Sequence, residues 1–178
     1  SSARAVRSSR VSVVSGTTFY RYVQPPRRAM YDRIVIAVDG SGEAAHAARR
    51  GFDLADAFDA AVDVIHVVER SALRLTRTSD ERTRLRDRGV AILNEIEGAA
   101  SEVGLSVSTE LVDGRPAVQI SEFAAAADAD LVVVGRQGLT GVRRRLVGGV
   151  TERILRQSPV PVLVVPDGGP VAETAAGY

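Results

Sequence analysis

Five short runs rich in β-branched and other apolar residues recur along this chain, at 33–38, 61–68, 105–112, 130–134 and 160–165. The segments between them carry apolar residues at helical spacing or polar turn signals. Strands that alternate with helices form βαβ units, which predicts a parallel sheet with helices on both faces. The first run, Arg33-Ile-Val-Ile-Ala-Val38, and the fourth, Asp130-Leu-Val-Val-Val134, are apolar almost throughout, as suits strands covered on both sides. Ser41 is placed to cap a first helix whose apolar positions are Ala45, Ala48, Phe52, Ala55 and Phe58. Thr78 or Ser79 caps a second, long helix with Leu85, Ile92, Ile96, Ala99 and Val103 on one face. Pro116 fits the first turn of a third helix with Ala117, Ile120, Ala124 and Ala127 inward, after an Asp113-Gly114 turn. A short fourth helix spans 150–157. Pro161 has no N–H for a ladder, so the last strand begins irregularly or lies at an edge.

The 178 residues fit one domain with appendages: an extension at 1–29, a body at 30–166 and a tail at 167–178 that reads as mobile. Residues 1–29 hold six arginines and no acid, whereas 30–178 hold 17 arginines against 22 acids. The body is therefore net acidic and offers no broad basic face to nucleic acid. The extension reads as a disordered segment ahead of Met30; a transit peptide and a basic arm for nucleic acid or membrane share its composition. Val11 to Val14 is too short and polar for a secretory core. No apolar run approaches the roughly 18 residues of a membrane span, and a soluble cytoplasmic protein is expected. Absence of cysteine excludes disulfides and thiolate chemistry, and two histidines, His46 and His66, make a histidine-rich metal site unexpected.

Ligands of open α/β sheets bind beyond the carboxyl ends of the strands, where the topology switches direction. Three segments leave the expected strands there: Asp39-Gly40-Ser41, Val67-Val68-Glu69 and the loop opening at Gly135. In that loop Gly135, Gly138, Gly148 and Gly149 leave backbone N–H groups unobstructed ahead of a helix, an arrangement suited to anions. Two roles are open to Asp39, a ligand carboxylate and an Asx turn closing the first strand. Arg143, Arg144 and Arg145 read as an exposed segment, His66 as a core residue and His46 as lying near the surface. Asp39 and Glu69 both stand at strand ends, where a divalent cation finds oxygen ligands. The chain has no lysine, hence no Walker lysine, and no cysteine nucleophile, so a binding or regulatory protein is expected rather than an enzyme.

Taken together, Ile34-Val-Ile-Ala-Val-Asp39-Gly-Ser41, Val64-Ile-His-Val67, Asp130-Leu-Val-Val-Val-Gly135, Gly148-Gly-Val-Thr151-Glu-Arg-Ile-Leu and Pro159-Val-Pro-Val-Leu-Val-Val165 resemble the universal stress protein family. The ATP-binding branch of that family carries glycine, two residues, glycine, nine residues, glycine, then serine or threonine. Gly135, Gly138 and Gly148 fall on that spacing, while Gly149 stands at the hydroxyl position. The resemblance implies an adenine-nucleotide α-hydrolase-like (Rossmann-like) fold, with five parallel strands in the order 3-2-1-4-5 and a switch point between strands one and four. It implies ATP with Mg²⁺ as ligand. Asp39 would accept from the ribose hydroxyls, and Ala37 and Val67 would line the adenine slot. Val38 and Val134 would flank the site, and Gly135, Gly138, Gly148, Gly149 and Val150 would offer N–H groups to the phosphates. Thr151 would either replace the missing hydroxyl in part or cap and pack. The resemblance further implies a homodimer through Val162–Val165. Two other functions stay open: an interaction dimer with an empty site, and an enzyme that activates a substrate with ATP.

Overall fold

The computed structural model describes the backbone of residues 10–14 and 17–21 and all atoms of residues 30–69, 78–136 and 149–166. Gly138, Gly148, Arg143 to Arg145 and the tail at 167–178 lie outside the described residues. In chain order the elements are β1 (Arg10–Val14), β2 (Thr17–Arg21), β3 (Arg33–Val38), α1 (Gly42–Phe58), β4 (Ala61–Glu69) and α2 (Ser79–Glu102). They continue with β5 (Val107–Gly114), α3 (Pro116–Ala126), β6 (Leu131–Gly135), α4 (Gly149–Gln157) and β7 (Val162–Val165).

β3 to β7 make one parallel sheet in the order β5-β4-β3-β6-β7. Numbered from β3, this is the expected 3-2-1-4-5. Strand parity splits the core into two layers. Ile34, Ile36, Val62, Val64, Leu131 and Val133 face α1 and α2, meeting Ala47, Phe52, Leu93 and Ile96. Val35, Ala37, Ile65, Val132 and Val134 face α3 and α4, meeting Ala117, Ile120, Ala124 and Ile154. Each fully buried valine or isoleucine contributes about 1.5–3 kcal/mol, so the central strands carry much of the hydrophobic stabilisation. Among the described residues no helix is long and apolar enough to cross a membrane.

The helix ends follow the sequence signals. The Ser41 hydroxyl accepts from the Ala44 amide at 3.1 Å, and Pro116 opens α3. Thr78 is the cap of α2, where its hydroxyl and the Glu81 carboxylate close a reciprocal capping box. At the amino ends of the strands, Asp130 Oδ2 accepts from the amides of Asp32 at 2.8 Å and Arg33 at 3.0 Å. Arg33 also donates to the nearly buried Asp63 carboxylate at 2.7 Å. These bonds tie the amino ends of β3, β4 and β6 together.

Three local features differ from the sequence expectations. β5 lies two residues further on, because the expected Asp113-Gly114 turn instead pairs in extended conformation with Val68 and Glu69, while Arg86 of α2 holds the Asp113 carboxylate. The buried stripe of α2 centres on Gly89, Leu93, Ile96 and Ala100; Val103 is its C-cap and is 64% exposed. Within 1–29, β1 and β2 pair antiparallel from Arg10↔Arg21 to Val14↔Thr17, where no regular element was expected. Their two-residue connection, Ser15-Gly16, is a hairpin signal in the sequence.

Candidate functional site

β3 and β6 are neighbours in the centre of the sheet, yet their chains leave on opposite sides. β3 leads to α1, which covers one face, and α4, reached after β6, covers the other. Strand ends that diverge in this way leave a crevice between them.

On the β3 side, Asp39 follows the last strand residue and turns the chain into α1. Its Oδ1 accepts from the Ser41 amide at 3.0 Å and from the Ser41 hydroxyl at 2.6 Å. Both bonds are part-buried, and Ser41 in turn caps α1, so the carboxylate is tied to the helix start. The Asx-turn role is thus present at Asp39.

On the β6 side, Gly135 ends the strand against the first turn of α1. A Cβ added there would stand 3.1 Å from Glu43 C and O and 3.3 Å from Ala44 N. The contacted atoms are backbone, so Gly135 permits a close approach that a side chain would block. The Thr151 hydroxyl, buried in α4, donates to the Gly135 carbonyl at 3.0 Å. A hydroxyl has one proton to donate, and here it latches α4 to β6.

Of the candidate residues, Ala37, Val67 and Val134 share the face of α3 and α4 near the carboxyl ends, with Val112 beside them. Val38 is not brought to that face: its side chain is buried under α1, and its carbonyl accepts from His66 Nδ1 at 2.9 Å. Gly149 and Val150 open α4 and are exposed. His66 is buried, as expected; its bond to Val38 was not foreseen from residues 28 apart in sequence. Nothing local to Gly135 announces its contact with Glu43 either. His46, expected near the surface, is half-buried on α1. Among the described residues no three His, Asp or Glu side chains gather as a metal site.

The fold defines an open, doubly wound α/β domain, a class whose ligands bind at the switch point. The family model for the Universal stress protein family matches residues 30–166. Universal stress protein MJ0531 of Methanocaldococcus jannaschii is 37% identical over 140 residues, covering 76% of this chain and 82% of its own. Among solved structures, the protein MJ0577 superimposes with a TM-score of 0.70 at 25% identity, over 79% of this chain and 99% of that one. A universal stress protein in complex with cAMP gives a TM-score of 0.61 at 29% identity, over 76% and 97%. This chain belongs to the universal stress protein family.

Proposed function

We propose that the chain binds an adenine nucleotide, ATP with Mg²⁺, between the carboxyl ends of β3 and β6. In this reading it works as a cytoplasmic regulatory homodimer whose contacts change with occupancy. The observation that carries the reading is the juxtaposition of the anchored Asp39 turn with Gly135, both held against the start of α1. Ala37, Val67 and Val134 supply an apolar wall for the base. Asp39 accepts from the ribose hydroxyls. Backbone amides of Gly135, Gly138, Gly148, Gly149 and Val150 face the phosphates, where several donors together offset what a single helix end leaves weak. Thr151 serves by fixing α4 beneath them. A divalent cation would come with the phosphates and offset their charge, since no three His, Asp or Glu side chains gather to hold it among the described residues. The cAMP complex of a relative 29% identical to this chain belongs to the same ligand class. A titration of purified protein with ATP, with Gly138→Val as control, gives saturable binding that the variant loses; no binding at millimolar ATP would remove the reading.

Position 149 supplies a sharper prediction. A Cβ added at Gly149 meets no described atom within 4 Å, so Gly149→Ser folds as the wild type does. The serine restores one hydroxyl to the phosphate side and tightens ATP binding roughly five- to tenfold, the worth of one net hydrogen bond. Equal affinities in a parallel titration would show that residue 149 does not face the phosphates.

The homodimer is proposed through β7. It is an edge strand of four residues in which Leu163 is 36% exposed, with Leu155 and Val150 also exposed on neighbouring α4. Apolar edges are generally paired or covered. Light scattering at micromolar concentration is expected to show a dimer for the wild type and a monomer for Leu163→Arg; a monomeric wild type would rule the pairing out.

One observation favours a second reading, a dimeric interaction module with an empty site. No hydroxyl is present at Gly149, and that of Thr151 is committed to Gly135. Finding ATP carried through purification would reject that reading.

A further inference from the structure

We infer that His66 is a positioning residue for the ribose-binding carboxylate. The inference rests on the nucleotide site proposed above and adds a residue to it.

His66 stands opposite Val38 in the β3–β4 register, whereas the β3–β6 register extends only to Ile36↔Val133. The last two residues of β3 thus continue in register with β4 beyond the end of the β6 pairing. There the imidazole donates from Nδ1 to the Val38 carbonyl at 2.9 Å in a buried setting. A carbonyl only accepts, so Nδ1 carries the proton. The peptide unit from Val38 to Asp39 is planar, and fixing its carbonyl fixes the direction in which the Asp39 Cα leaves the strand. Ser41 fixes the same residue from the other side, through Asp39 Oδ1. Asp39 is thus braced by His66 on the strand side and by Ser41 on the helix side, and this pre-organisation lowers the ordering cost of ligand binding.

The ring is braced from behind. An added Cβ at Gly89 of α2 would lie 2.9 Å from His66 Cδ2, 3.4 Å from its Nε2 and 2.6 Å from Leu111 Cδ1. Gly89 is the notch that lets α2 close over the imidazole, so helix, histidine and strand end form one connected support.

The test separates ribose recognition from overall stability by comparing ATP with 2′,3′-dideoxy-ATP as ligands. Wild-type protein is expected to prefer ATP by about tenfold or more, the value of a charged hydrogen bond. Folded His66→Leu binds the dideoxy nucleotide as the wild type does, but its preference falls to within about threefold. His66→Asn, which keeps a donor near the position of Nδ1, retains most of the preference. Gly89→Ala, which presses on the ring and leaves its chemistry untouched, lowers the same ratio and serves if the leucine variant does not fold. An undiminished ratio in the folded variants overturns the inference while leaving the nucleotide site standing. Wild-type binding without ribose preference also overturns it; absence of wild-type binding overturns the site and the inference together.

Discussion

Replacing Asp39 by alanine is expected to weaken ATP binding roughly ten- to hundredfold, since a hydrogen bond to a charged group contributes about 1.5–3 kcal/mol. The side chain has two tasks, and the variants separate them. Asp39→Ala removes both the ribose acceptor and the hold on Ser41, although Ser41 keeps its own bond to the Ala44 amide and α1 remains capped. Asp39→Asn preserves an oxygen for the Ser41 amide and hydroxyl and removes the charge, so its melting temperature stays closer to that of the wild type than the alanine variant's does. Its affinity falls by less, up to about tenfold, as expected for a neutral in place of a charged bond. Titration calorimetry and thermal melting, run together, make the distinction. If Asp39→Ala melts lower but binds ATP unchanged when folded, Asp39 is a turn residue and nothing more.

Gly135→Val is expected to damage fold and site together. Its Cβ would enter at 3.1 Å from the backbone of Glu43, in a helix turn already held by the Ser41 cap, so relief requires moving α1 or the end of β6. Overpacking of this kind costs about 1–3 kcal/mol. For a domain of this size the melting temperature drops by roughly 3–10 °C. Displacing the end of β6 also disturbs the Thr151 latch and the loop amides beyond it, so nucleotide binding fails even where the protein is folded. The alanine variant shows the same effects in smaller measure. Wild-type stability and affinity in Gly135→Val would mean that the approach of α1 to β6 is looser than 3.1 Å implies.

Much of the fold was legible because the central strands are buried on both faces. β3 and β6 carry continuous apolar runs, and the alternation with helices leaves few topologies open. Edges were harder to read. β5 exposes Ser108, Thr109 and Glu110, so its hydrophobic signal is thin, and Asp113-Gly114 looks like a turn until the long-range pairing with β4 is known. On α2 the expected Ile92, Ile96 and Ala99 do meet the core, but the stripe also runs through Gly89, a residue with no hydrophobic signature whose role is to make room, and leaves Val103 exposed. At the site, Ser41 as a cap and Asp39 as a turn residue follow from local chemistry. The bond from His66 to Val38 and the contact of Gly135 with Glu43 join distant parts of the chain, and no local pattern encodes them.

The most direct test of a ligand site between β3 and β6 is to follow backbone amide resonances while ATP is added to isotopically labelled protein. The largest shifts are expected at Asp39, Gly40, Val67, Gly135, Gly149 and Val150, while Asp32, Arg33 and Asp130 at the opposite end of the sheet stay unmoved. Shifts centred on that opposite end, or none at saturating nucleotide, would contradict a site between those strands.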